Sequence, residues 1–322
     1  MNDMKKYLLG IAAVFVLFSC KKEDKVAEAV AAIPVKVEIE RFDKVFYESP
    51  VTDFPKIKKE FSYFFPAGNP DTVWINKMQD PLYRELYGEV KKKYPNNDAF
   101  EGDLVALFKH IQYYFPEYKT PKVVTLVSEM DYENKAIFAD SLVIISLDMY
   151  LGKTNRLYEF PEYYKQNFES SQMMPDIVAS FAAGKISAPK DRTLLSQMIY
   201  FGKELYLKDL LLPDDSDAVK IAYTEDQLKW CQENESEMWK FFVNEKILYD
   251  TNPKLMQRFI STAPFSKFYL EIDAESPGRV GTWIGWQIVR SYMKNNPNVN
   301  VQQLLVTDAK EIFDNSKYKP KK

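Results

Sequence analysis

The chain has 322 residues, 46% of them hydrophobic, 15% aromatic and 28% charged, which is enough apolar material for a core and excludes a disordered chain. Its 43 basic and 46 acidic residues give a net charge of -3, so there is no positive excess for a phosphate backbone and nucleic acid is not an expected partner. One histidine and two cysteines exclude disulfide frameworks, Cys/His zinc fingers and metallopeptidases that need two or three histidines, and no metal or cofactor is expected.

The first residues read as an export signal. Lys5 and Lys6 form a positive n-region, and residues 7–18 are an apolar stretch too short to span a bilayer as an ordinary transmembrane helix. The stretch ends in Leu17-Phe18-Ser19-Cys20, which resembles the lipobox of bacterial lipoproteins, with Phe18 bulkier than usual at its position. The expectation is cleavage between Ser19 and Cys20 and acylation of Cys20, whose chains would anchor the protein without spanning. A non-lipidated signal peptide or a chance cysteine is the alternative. Residues 1–19 are therefore the signal and residues 20–34 a lipid-anchored tether with no pattern for burial. Lys22-Glu23-Asp24 is similar to a surface-export signal of Bacteroidota lipoproteins, so an outer-membrane location is expected on either its periplasmic or its surface face.

Residues 35–40 alternate apolar and charged side chains, the period of a half-buried strand, and open the folded domain. Residues 54–64, 81–93 and 98–115 then space apolar side chains three and four apart, as helices do. Residues 122–128 and 142–147 are β-branched, mostly apolar runs and read as two more strands. Helical spacing returns over residues 174–183, 194–211, 225–248 and 281–294, with Thr224 and Gln227 as a capping box for the third. No repeat or flexible linker divides residues 35–322, so the expected fold is a single, mostly helical α+β domain with a small β-sheet. The Lys-rich end, residues 315–322, is expected to fray.

Chemistry-bearing motifs are sparse. Gly152-Lys153-Thr154 lacks the upstream glycine of a phosphate loop, because Leu147 holds that position. Pro213-Asp214-Asp215-Ser216-Asp217 is acidic like a calcium loop, but Val219 stands at the next ligand position, so a solvated loop is expected. His110 on an apolar helix is read as structural rather than as a general base. Glu235 shares a helix face with Leu228, Cys231, Met238 and Phe242, which makes it a buried or cleft acid, with Arg279 or Arg290 as the expected partner. Cys231 reads as a small core residue.

Several segments carry a resemblance: Arg41-Phe42-Asp43, the run Ile145-Ser146-Leu147-Asp148-Met149-Tyr150-Leu151-Gly152, Trp230-Cys231, Asn234-Glu235, Ala263-Pro264-Phe265 and Ser276-Pro277-Gly278-Arg279. Together they look like the gliding motility lipoprotein GldB family of Bacteroidota, over nearly the whole mature chain. The resemblance implies a membrane-anchored component of gliding motility and of the type IX secretion apparatus, with motility or secretion proteins as partners and no catalytic residues to carry over.

A more distant resemblance is to zincin-like metallopeptidases, in which a His-Glu-x-x-His helix follows the sheet. Here the equivalent helix reads Met174-Pro175-Asp176-Ile177-Val178-Ala179-Ser180, so Pro175 and Ala179 stand where both ligands would be and Asp176 where the base would be. This implies a zincin-like domain without its metal site, a non-enzyme whose cleft can hold a peptide or partner. The alternative is a cell-envelope hydrolase working through carboxylates such as Glu235 or Asp176. The densest candidate partner-binding segment holds Arg279, Trp283, Trp286 and Arg290, side chains enriched at interface hot spots; the alternative there is that the tryptophans fill the core and the arginines pair internally.

Overall fold

In the computed structural model, which describes residues 25–321, the three expected strands pair through backbone hydrogen bonds. They are β1 (Glu38–Arg41), β2 (Lys122–Leu126) and β4 (Leu142–Ser146), which run parallel; a further strand not expected from the sequence, β3 (Ala136–Ala139), adds antiparallel to β4. The order across the sheet is β1-β2-β4-β3. Alternation along the strands sends Val123, Val143 and Ile145 to one face and Val124 to the other, so both faces are covered, as parallel strands require.

Helices supply the rest. Residues 25–31 form α1, and α2 (Phe42–Glu48), α3 (Phe54–Glu60), α4 (Asp71–Gln79), α5 (Pro81–Lys93) and α6 (Glu101–Tyr114) lie between β1 and β2. After the sheet come α7 (Glu162–Lys165), α8 (Met173–Ala183), α9 (Leu194–Leu211), α10 (Asp217–Ile221), α11 (Glu225–Glu233) and α12 (Glu235–Asn244). The chain closes with α13 (Lys254–Phe259), α14 (Val280–Asn295), α15 (Val301–Val306) and α16 (Ala309–Ser316). The fold is thus a mostly helical α+β domain with a small mixed sheet, as expected.

Three expectations change. The tether is helical from residue 25, Val30 is buried, and the Lys109 ammonium donates to the Ala31 carbonyl at 2.9 Å. The helix read over residues 225–248 breaks at Asn234, whose φ and ψ of −107° and 9° end α11 and start α12, and the chain leaves α12 after Asn244. The Thr224–Gln227 capping box is present as expected. The tail is held rather than frayed: the Tyr318 ring meets the Trp239 ring edge-on at 5.2 Å, and its hydroxyl donates to Glu235 at 2.7 Å.

Helix α9 ties the domain together. Its C-terminal Leu207 and Leu211 belong to the core under the sheet, and its N-terminal Leu195, Met198 and Ile199 belong to a second core around α14. The two helices meet backbone to backbone at Gly202 and Gly285. A β-carbon on Gly285 would lie 1.8 Å from the Met198 carbonyl oxygen, and one on Gly202 would lie 2.4 Å from the Gly285 carbonyl. One face of this crossing carries a polar cluster. Arg290 donates to both oxygens of Asp209, at 2.7 and 2.6 Å, and to both oxygens of Asp217, at 2.7 Å each. Asp209 also accepts the Trp286 indole N–H at 2.9 Å. Farther along, Lys203 donates to the Leu305 and Thr307 carbonyls at 3.2 and 2.7 Å, and its burial pulls the ammonium pKa down to about 8.

Replacing Gly285 with Ala has no room to relax, because the obstacle is a carbonyl of the facing helix. G285A is expected to cost about 3 kcal/mol or more. A urea melt should therefore show a much lower midpoint, or no folded baseline; an unchanged midpoint would contradict the close crossing.

Candidate functional site

A cavity of about 350 Å³ lies outside the carboxyl ends of β1, β2 and β4, the place where parallel sheets generally leave a crevice. It sits on the sheet face opposite α8. Its floor is apolar: Phe42 and Phe46 from α2, Leu126 at the end of β2, Ile144 of β4 and Ile137 of β3. One rim is α4, through Trp74 and Lys77, and the other is the loop after β2, through Ser128, Glu129, Asp131 and Asn134.

Each wall is built by local chemistry. At the start of α2, Asp43 is fully buried and takes a bidentate pair from Arg41, at 2.9 and 2.7 Å, plus the Thr125 hydroxyl at 2.5 Å. This joins the end of β1 to β2 and fixes where Phe42 and Phe46 project. The loop depends on Asp148, also fully buried, whose carboxylate accepts the N–H groups of Ser128 and Met130 at 2.8 Å each and the Ser128 hydroxyl at 3.3 Å. Between those donors the backbone is left-handed at Glu129 and Met130, with φ of 64° and 63°, a conformation that costs non-glycine residues roughly 1–3 kcal/mol each. Burial outweighs these hydrogen bonds and pushes the Asp148 pKa up to about 6 from its ordinary 3.8. At the far end of the loop, Lys135 pairs with Asp176 of α8 at 2.6 Å, and the Tyr150 hydroxyl donates to the same carboxylate at 2.9 Å.

The two rims are bridged by an ion pair between Lys77 and Glu129, each about one-third exposed. Beneath it Trp74 packs edge-on against Phe65 at 5.0 Å, and the Lys77 ammonium lies 5.3 Å above the Trp74 ring. The Trp74 indole N–H is buried and has no acceptor among the described residues. Helix α4 is shallowly seated, with Met78 its one buried side chain and no side-chain cap at its N-terminus.

The residues singled out from sequence lie elsewhere. The partner-binding reading of residues 279–290 is corrected: Trp283 and Trp286 are 3% and 0% exposed, Arg290 is spent on Asp209 and Asp217, and the Arg279 guanidinium donates to the Ile221 carbonyl at 3.1 Å. The segment is a packing centre, with the tryptophans in the core and the arginines paired internally, which was the alternative reading. Asp217, expected in a solvated loop, is one of the Arg290 partners. Glu235 is buried as expected, but its partner is Tyr318 rather than Arg279 or Arg290. Cys231 is a core residue, and burial pushes its thiol pKa far up. His110 bonds only the Ala106 carbonyl of its own helix, at 2.9 Å. Ser19 and Cys20 lie outside the described residues.

Helix α8, the expected equivalent of a zinc-binding helix, buries Pro175, and its Asp176 is committed to Lys135 and Tyr150. A hydrogen bond from the Phe138 N–H to the Ser180 hydroxyl, at 2.8 Å, closes part of the β3 edge beside it. The open cavity is on the other sheet face, so a cleft beside α8 is not where the space lies.

The model of one protein family, described as gliding motility protein GldB, matches residues 23–320. No curated protein and no solved structure matches the chain. The zincin-like part of the expected fold is therefore carried by no comparison.

The raised Asp148 pKa fixes a sign. The neutral carboxyl is favoured in the fold, so its contribution to stability is full below about pH 4 and is lost as pH rises through about 6. Lowering the pH from 7.5 to 5 should return about 1.5 kcal/mol to the native protein that D148N lacks. Urea melts of both proteins at the two pH values measure this; equal pH responses would contradict it.

Proposed function

The chain belongs to the gliding motility protein GldB family, and on that premise we propose that it is a lipid-anchored, non-catalytic interaction protein of the gliding motility and type IX secretion machinery, held at the outer membrane through Cys20. The observation that carries this reading is the family match over residues 23–320, which includes the segments forming the cavity and its rims. Among the described residues no helix is long and apolar enough to cross a membrane, which fits attachment through acyl chains.

The arrangement of charged groups favours binding over hydrolysis. A carboxylate pair working as acid and base needs two acids flanking one substrate position. Glu235 and Asp176 instead sit on helices of different cores, the first bonded by Tyr318 and the second by Lys135 and Tyr150. Of the acids lining the cavity, Asp43 is saturated by Arg41 and Thr125 and Glu129 is paired with Lys77, which leaves Asp131 as the one carboxylate there without a cationic partner among the described residues. What the cavity offers is an apolar floor with a polar rim, the composition of a binding site.

Three substitutions test this reading. C20A should release the protein from the membrane fraction and abolish gliding. E235Q and D176N, each checked for folding, should leave gliding intact. Membrane attachment surviving C20A would overturn the anchor, and a folded but non-gliding E235Q or D176N would favour a carboxylate hydrolase instead.

A further inference from the structure

The cavity described above has a chemistry specific enough to name its occupant. We infer that it takes a segment of a partner protein that inserts a large apolar side chain against Phe42, Phe46 and Ile144 and lays a neighbouring lysine or arginine against Asp131 and Glu129. The inference rests on the proposed interaction role and adds the site and the recognition rule.

The first argument is charge. Three carboxylates line the cavity, Asp43, Glu129 and Asp131, against one ammonium, Lys77. Asp43 is neutralised by Arg41 and Glu129 by Lys77, whereas Asp131 accepts its hydrogen bonds from uncharged donors, the Glu133 and Asn134 N–H groups and the Asn134 amide. The rim therefore presents a carboxylate whose turn-forming bonds leave its charge uncompensated, next to a second carboxylate whose ion pair is partly in water. A cation on the partner meets both, and excess charge of one sign at a rim selects partners of the other. An acyl chain would gain nothing from this rim.

The second argument is the wall formed by α4. Its Trp74 indole N–H is sealed from solvent without an acceptor, a state that costs about 1–3 kcal/mol. A peptide backbone carbonyl entering above the apolar floor supplies that acceptor once α4 shifts outward, and the shallow seating of α4 makes this a small movement. The Lys77–Glu129 pair then acts as a clasp, because opening α4 separates the two charges and frees Glu129 for the incoming cation. The volume of about 350 Å³ has room for one or two large side chains.

The test uses the full-length lipidated protein in gliding cells. A benzophenone amino acid replaces Ile137, which lines the cavity and is 37% exposed, or, as a reference surface, Tyr269, which is 72% exposed. After irradiation, adducts are mapped by mass spectrometry to the residue. The expected result is an adduct from position 137 on a protein segment with a large apolar residue within three positions of a lysine or arginine. Its yield should fall by about tenfold in D131N, whose amide oxygen still accepts the turn N–H groups and so keeps the loop. An adduct on lipid, an adduct on a segment without that composition, or a yield indifferent to D131N overturns the inference. No adduct from position 137 while position 269 captures a machinery protein overturns the cavity as the site and leaves the interaction role standing. No protein adduct from either position overturns both.

Discussion

The backbone contact between Gly202 of α9 and Gly285 of α14 is the constraint on which the rest of the domain depends. A helix pair this close has no space for side chains at the crossing, so the residues around it must point outward into two different cores. On α9 that division sends Leu207 and Leu211 toward the sheet and Met198 and Ile199 toward α14. It also leaves Asp209, Trp286 and Arg290 on one side, where a fork of hydrogen bonds to two carboxylates ties α10 to the pair. Helix α9 also holds the end of α15 through Lys203, which links the sheet side to the C-terminal side.

On that scaffold the cavity is set by two buried aspartates with different tasks. Asp43 fixes the floor by joining the start of α2 to β2, and its charge is matched by an arginine. Asp148 fixes the rim and has no arginine or lysine among the partners described for it, relying on two backbone N–H groups and the Ser128 hydroxyl. The opposite wall is α4, where Met78 is the one buried side chain, Trp74 and Ile75 pack partly buried against the core around α2, and a partly exposed ion pair closes the rim. A fixed floor and loop facing a lightly seated helix is an arrangement suited to admitting a partner segment.

The sequence made β2 and β4 legible because their apolar runs are β-branched, β1 legible because apolar and charged residues alternate along it, and α5, α6, α8, α9 and α14 legible because each carries an extended apolar stripe. Ala136–Ala139 was too short and too poor in β-branched residues to stand out, and it is a strand because β4 and Ser180 hold it. Helix α4 was hidden by its weak amphipathicity, since Met78 is its one buried side chain and Trp74 and Lys77 line a cavity. Glu235 was rightly placed on the buried face with Cys231 and Met238, but its partner Tyr318 is 83 residues away, in a segment whose lysines pointed to solvent. The cavity itself was not legible. Asp148 and the loop it holds are about twenty residues apart, and nothing in either stretch announces a left-handed pair at Glu129 and Met130. The tryptophans and arginines of α14 had the composition of an interface hot spot, and that composition serves equally well for a packed crossing.

The central claim is that this protein works by holding a partner in the cavity between α2, α4 and the carboxyl ends of the strands. The most direct measurement is the gliding speed of cells whose protein carries Asp131→Asn, a change that removes the rim charge while its amide oxygen still accepts the turn N–H groups. The account predicts that this variant folds with an unchanged Tm, stays in the membrane fraction and loses most of its gliding speed. Normal gliding with the rim charge removed would contradict it.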